Sequence, residues 1–456
     1  MLLSILTNKI AQRSAVLGVI GLGYVGLPVA CAFAQTGFRA LGVEIRPERV
    51  ATINSARSPI EGNEPGLSEL LAEVVGKNLL VASTDYVPLR EADVVLINVE
   101  TPVDDDHQPR YEALVTVCRQ LGQVMKDGVL VIIESTVSPG TTDCLVRPVL
   151  EQYSRKMLND GFYLGHCPER VMPGKLLANL RSMSRVCGGS TPETAKAMVH
   201  LYRCIVDADL DVSDCVTAEL VKTAENTYRD VNIAFANELA LVCEATGGDF
   251  LRVRELVNKS PGRHVLLAGA GVGGHCIPKD PWLLIHGAAG LPGLRLIPAA
   301  RAVNDHMPLH IARLILQSLK DSNLPLDAAK VAVLGYAYLE NSDDTRNTPT
   351  ETLVGYLGKL GVQMSIHDPH VTAYNRPLEE VVKDADVLAI LVRHDEYTSL
   401  DLRQLRSWMR RPVMVDARNV FNGSEAQAAG FIYRAIGQAN NGKVEENAHK
   451  CTEKHW

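Results

Sequence analysis

The stretch SAVLGVIGLGYVGLPVACAFAQTGF, residues 14–38, runs for 25 residues without a charge and follows Lys9 and Arg13. Composition alone allows a membrane span or a signal peptide. Gly18, Gly21, Gly23, Gly26 and Pro28 instead divide it into a short apolar run, a glycine turn and a second apolar run, which read better as strand, turn and helix. The turn Gly21-Leu22-Gly23-Tyr24-Val25-Gly26 has the spacing GxGxxG after the strand and at the helix start, and Glu44 ends the next strand. Such glycines permit a tight turn and close backbone approach to a pyrophosphate, which a helix N-terminus attracts. Glu44 can accept from ribose hydroxyls, which favours NAD over its 2′-phosphorylated form. Arg46 and Arg49 leave the phosphorylated form open.

Outward from this turn, apolar runs at 15–21, 39–44, 92–99 and 128–134 alternate with amphipathic segments, the clearest at 111–125. That alternation predicts a doubly wound parallel sheet covered by helices, continuing through 161–170 and 184–189. A helical pattern over 215–246 ends at Gly247-Gly248 and far exceeds the usual length of about 11–12 residues, so it bridges domains or subunits. A second βαβ-like region occupies 330–421 without a glycine fingerprint, and Asp368, His394 and Arg418 fall at its strand ends. The expected architecture is α/β: two Rossmann-like doubly wound parallel-sheet domains joined by a long central helix. The expected bounds are an NAD-binding domain at 1–210, a central helical dimerisation region with the cysteine segment at 211–320, a ligand domain at 321–438, and a polar tail, expected disordered, at 439–456.

A length of 456 residues is too great for one core and agrees with this division. The 46 basic and 53 acidic residues give a net charge of −7, so no general affinity for nucleic acid is expected, and an anionic ligand needs a local site. Ten cysteines without a CxxC pair, and histidines without ligand spacing, predict free thiols in a reducing cytoplasm and no metal.

One cysteine stands apart. In GAGVGGHCIPKDPW (269–282), Cys276 follows a glycine-rich turn and precedes Lys279 and Asp280. An ordinary thiol of pKa about 8.5 is only roughly 3% thiolate at pH 7, and a neighbouring cation or turn amides would raise that fraction. On the long helix, Lys222, Asn226 and Asn237 fall near one face at about 100° per residue and suggest a lined cleft. Lys222 can polarise a carbonyl oxygen. Thr101, Glu134 with Ser135 and Thr136, and Glu169 with Arg170 lie at predicted strand ends of the first sheet.

In order along residues 15–425, GLGYVGLP, Glu100–Pro102, ESTVSPGTT, CPERVMPGK, ELVKTAENTYRDVNIAFANE, GVGGHCIPKDPW, DDTRNTP and VDAR resemble the UDP-sugar 6-dehydrogenase family. The resemblance implies oxidation of a sugar's primary alcohol to a carboxylate with two NAD in succession, for glycan precursor synthesis, by a cytoplasmic homodimer or higher homo-oligomer. Cys276 would form a thiohemiacetal and then a thioester. Lys222 and Asn226 would stabilise the oxyanion, Asp280 and Thr136 would handle protons and water, and Glu169 would act in thioester hydrolysis. Gly21, Gly23, Tyr24, Val25, Gly26, Glu44, Arg49, Thr101, Thr136, Lys279 and Arg346 would serve the cofactor. Glu169, Arg170, Lys222, Asn226, Arg263, Gly273 and Arg418 would serve the substrate. GVGGHC and PERVMPGK are more similar to the N-acetylhexosamine branch, which favours UDP-N-acetylmannosamine over UDP-glucose and the N-acetylglucosamine and N-acetylgalactosamine isomers. Two positions depart from the common pattern: Leu339 where many members have lysine, so that a diphosphate contact is lost or replaced, and Glu44 where many have aspartate. A single-hydride β-hydroxyacid dehydrogenase and a non-catalytic NAD-sensing protein are the competing readings.

Overall fold

The uncharged stretch folds as strand β1 (Val16–Ile20), the glycine turn and a helix at Gly26–Gln35. The computed structural model describes residues 2–60, 62 and 64–438, so the polar tail at 439–456 lies outside the described residues. Among them no helix is long and apolar enough to cross a membrane, and all nine described cysteines are free thiols.

The chain divides into two compact units. The first takes residues up to Asn226 together with Lys279–Pro292. Its sheet contains β1, β2 (Arg39–Val43), β3 (Leu80–Ser83), β4 (Val94–Ile97), β5 (Val129–Ile133), β6 (Phe162–His166), β7 (Arg185–Gly189) and β8 (Leu210–Asp214). The order is β3-β2-β1-β4-β5-β6-β7-β8, so the chain changes direction across the sheet between β1 and β4. Such a switch is where open α/β sheets bind their ligands, between loops that leave the strand ends in opposite directions. Every residue of β4 and β5 is buried, as expected of strands covered by helices on both faces. One pair departs from the parallel expectation: β7 runs antiparallel to β6 and returns Arg185 towards the active edge.

The second unit takes Thr227–Pro278 and the chain from Gly293 onwards. Its sheet contains β9 (Lys330–Leu334), β10 (Gln363–His367), β11 (Val387–Ile390), β12 (Val413–Asp416) and β13 (Ile432–Ala435), parallel throughout in the order β10-β9-β11-β12-β13. The central helix spans Cys215–Thr246 and crosses the boundary between units at Asn226. The expected central region, 211–320, is thus shared between them. Sequence reading marks nothing at Leu296–Asp321, yet this is a 26-residue helix, with Pro308 inside it obscuring the pattern. This helix packs on the central helix through Arg301, which pairs with Asp230 at 2.6 Å, and through Asn304.

Candidate active site

In the first unit, the three fingerprint glycines do separate work. Gly21 has φ +87°, and a Cβ there would lie 2.5 Å from the Asn98 carbonyl oxygen. At Gly26 a Cβ would strike the Gly21 oxygen at 1.9 Å, so this glycine lets helix and turn close together. Gly23 is open: among the described residues the only atom within 4 Å of its absent Cβ is Arg49 Nη1 at 3.9 Å, which leaves room for a pyrophosphate. Val25 precedes the helix as its N-cap residue, and Tyr24 donates its hydroxyl to Glu64. Glu64 also accepts from Gly174 N (2.8 Å) and Leu176 N (3.2 Å), which fastens the PERVMPGK loop to the cofactor turn.

Glu44 is buried and accepts from Leu22 N at 3.2 Å and Arg46 N at 3.1 Å, with Arg49 Nη1 3.7 Å away. Each carboxylate oxygen keeps acceptor capacity for a ribose hydroxyl. An open Gly23 beside a partly satisfied acidic group fits NAD. Across the switch, Thr101 donates to the Thr136 carbonyl oxygen (2.5 Å), and Lys279 Nζ reaches the Thr101 carbonyl oxygen (3.1 Å) and Asp280 (3.5 Å). Fully buried Asp280 accepts from Asn226 Nδ2 at 2.5 Å, and Lys222 is half-buried one helical turn before Asn226. Thus Thr101, Thr136, Lys279, Asp280 and Asn226 form one linked group in this unit.

A second group surrounds Arg185, which sequence reading placed only within a strand. Its side chain is 1% exposed, lies 2.7 Å from Glu169 and 3.9 Å from Glu134, and packs 5.0 Å from the Tyr202 ring centre. Glu134 also accepts from Tyr202 OH at 2.6 Å and Asn98 Nδ2 at 2.5 Å. Burial pushes the Glu134 carboxyl up to about 7, with Arg185 opposing the rise and Glu169 adding to it. Arg170 spends its donors on Glu225 and on Ser184, so its guanidinium anchors the loop that carries Glu169.

In the second unit, Gly273 and Gly274 press against Tyr338: a Cβ on either would approach it to 2.5 Å and 2.8 Å. Gly274 N donates to the Arg346 carbonyl oxygen (2.8 Å), and Asn347 Nδ2 donates to the Gly274 oxygen (3.0 Å). The loop is therefore clamped two residues before Cys276, whose thiol is exposed and close enough to Arg346 and Tyr338 to interact with both electrostatically. Arg346 itself pairs with Asp344 at 2.6 Å. Arg418 pairs with Glu340 at 2.7 Å and closes on Gly269. Arg263 is exposed, with its guanidinium on the Pro261 carbonyl oxygen at 2.8 Å, and is not gathered with these residues.

Two sequence readings acquire different meanings. Asn237 does not line a cleft: it is fully buried, donating to Asn304 (2.9 Å) and accepting from Gly269 N (2.9 Å), so it fixes helix and loop. Asp368 ends β10 as Glu44 ends β2, but accepts from the backbone of Tyr336, Ala337, His370 and Val371 and from His394. His394 Nδ1 accepts from Asn341 N, so its proton lies on Nε2, facing Asp368. These bonds hold the Asp368 carboxyl well below the usual range despite burial, and leave it no acceptor to offer a ribose. This acidic residue fixes the turn after β9.

A dinucleotide cradle on one doubly wound sheet, and an exposed thiol on a clamped glycine loop beside another, point to an NAD-dependent dehydrogenase. Comparison refines this. Models of the UDP-glucose/GDP-mannose dehydrogenase family match at 15–206 (NAD binding domain), 216–306 (central domain) and 332–423 (UDP binding domain). The chain belongs to this family and is an NAD-dependent UDP-sugar dehydrogenase. It is 38% identical to UDP-N-acetyl-D-mannosamine dehydrogenase of Pyrococcus horikoshii, over 93% of this chain and 99% of that one. The solved structure of UDP-D-ManNAc dehydrogenase from that organism matches with TM-score 0.87 and 37% identity, covering 92% of this chain and 99% of that one. The structure of NDP-N-acetyl-D-galactosaminuronic acid dehydrogenase from Methanosarcina mazei matches with TM-score 0.84 and 36% identity, covering 95% and 98%.

Proposed function

We propose that this chain oxidises the C6 hydroxymethyl of a UDP-N-acetylhexosamine, with UDP-N-acetylmannosamine as substrate, to the uronic acid through a covalent adduct on Cys276. The observation that carries the chemistry is the exposed Cys276 thiol on a loop held by Tyr338, Arg346 and Asn347. The substrate follows the relatives named above.

Bound NAD supplies the hydride acceptor for each of two oxidations. In the first, the alcohol loses a hydride and a proton to give an aldehyde. The Cys276 sulfur then bonds to the aldehyde carbon, and a proton on oxygen completes the thiohemiacetal. Loss of the second hydride and the hydroxyl proton gives the thioester. Water adds to its carbonyl, the carbon–sulfur bond breaks, and Cys276 departs as thiolate. Covalent capture keeps the aldehyde from escaping or hydrating. Lys222 and Asn226 stabilise the developing oxyanion, and Asp280 and Thr136 order water and protons. Glu169 serves as the base for hydrolysis, with a contribution of about 10²–10⁴-fold typical of a positioned base. Arg263, Gly273 and Arg418 serve the UDP-sugar.

The test supplies NAD with UDP-N-acetylmannosamine, its glucosamine and galactosamine isomers and UDP-glucose, and measures rate and NADH per sugar. We expect UDP-N-acetylmannosamine to react fastest, with two NADH formed for each sugar. One NADH with aldehyde accumulating overturns the thioester route. Fastest turnover of another sugar overturns the substrate while leaving the route intact.

We also propose that the active form is a homodimer built on the central helix. Tyr228, Phe235 and Val242 are 72%, 56% and 50% exposed at seven-residue spacing, which aligns them in one stripe suited to a second helix. Phe235→Glu is expected to halve the mass measured by light scattering. An unchanged mass rejects this interface.

A further inference from the structure

A cavity of about 180 Å³ opens at the carboxyl edge of the second sheet, beside the turn that follows β9. Pockets that enclose a whole small ligand hold ~300–1,000 Å³, so this one is sized for part of a nucleotide sugar. Its lining decides which part. Pro349 and Thr350 bring to it the first turn of the helix Pro349–Lys359, the positive end of that helix dipole. Two arginines, Arg229 and Arg418, and one acidic residue, Glu340, also line it. Arg418 is engaged by Glu340 at 2.7 Å. Arg229, on the central helix, is exposed, and its guanidinium makes no hydrogen bond or ion pair with a described residue. Two guanidiniums against one carboxylate leave the wall positive, with the uncommitted charge on Arg229.

We propose that Arg229 is the cation that binds the diphosphate of the UDP-sugar, pairing its planar fork with phosphate oxygens. This rests on reading the second unit as the UDP-binding unit. The same wall carries Leu339, 40% exposed, whose alkyl chain offers phosphate no donor. Arg229 therefore supplies from the central helix the charge that the turn after β9 lacks. Arg229 also lies seven residues beyond Lys222, at the helical spacing that returns to nearly the same face.

The test uses the full chain, with UDP, uridine and NAD as separate titrants. Arg229→Met is expected to weaken UDP binding about tenfold to a hundredfold, the range for loss of one charge-assisted pair, with uridine and NAD unchanged. The KM for UDP-sugar rises while kcat holds, and Leu339→Lys added to Arg229→Met restores most of the UDP affinity. Equal losses for UDP and uridine, an unchanged affinity for UDP, or no recovery in the double variant each overturn the role of Arg229. Leu339→Lys alone separates this from the reading beneath it. If it tightens UDP while Arg229→Met does nothing, the cavity holds the diphosphate and Arg229 is not its cation; if neither changes UDP binding, the cavity assignment falls as well.

Discussion

Cys276→Ala is expected to abolish uronic acid formation, by on the order of 10⁴-fold or more in kcat, while the thermal midpoint stays within a degree or two of the parent. The two halves of this expectation have separate causes. Cys276 is exposed, so its removal opens no cavity in the core. The clamp on its loop runs through Gly273, Gly274, Tyr338 and the 346–347 backbone, none of which the substitution touches. Chemistry, in contrast, loses its only proposed nucleophile, and the second oxidation has no adduct to act on. The measurement is product analysis by mass spectrometry with a melting curve on the same sample. Acid formation at the parent rate removes the covalent route and leaves the aldehyde hydrate, formed by addition of water, as the species that gives up the second hydride.

What was legible in the sequence is what backbone geometry enforces locally. Gly21 and Gly26 must be glycine because a Cβ would meet carbonyl oxygens at 2.5 Å and 1.9 Å, so the fingerprint stands in the residue identities themselves. Glu44 is equally local, since it accepts from the turn it follows in space. Arg185 shows the opposite case. Nothing in SRVCGG distinguishes it from any charged residue entering a strand, and its meaning comes from β7 reversing against β6, a pairing that no periodicity announces. Asn237 is a related case: helical spacing places it on a polar stripe, but its partner Asn304 sits on Leu296–Asp321, a helix whose pattern Pro308 obscures. The strands Leu80–Ser83, Leu210–Asp214 and Ile432–Ala435 carry no such signal, because each lies at a sheet edge and lacks a fully apolar run.

Arg185→Met is expected to destabilise the first unit by about 3–5 kcal/mol, the usual cost of removing one member of a buried ion pair. Methionine fills much of the volume, so the loss is electrostatic: Glu169 remains buried without its cation, and Glu134 loses the group that opposes its rise. Denaturant titration of the parent and variant measures it, and a difference under 1 kcal/mol refutes the assignment of this pair as structurally essential. Glu134→Gln then isolates the pH dependence. The Glu134 carboxyl titrates near 7 in the fold against an ordinary value of 4.5, so between these values the native state holds a proton that the unfolded state has released. Stability from this group is therefore lost as pH rises from about 4.5 to 7, and the penalty is complete above 7. Glutamine cannot ionise. It gives up one of the two bonds received from Tyr202 and Asn98, so the variant starts weaker at low pH and gains on the parent as pH climbs through that window. Parallel curves from pH 5 to 8 would show instead that Glu134 stays ionised throughout, with Arg185 shared between two carboxylates.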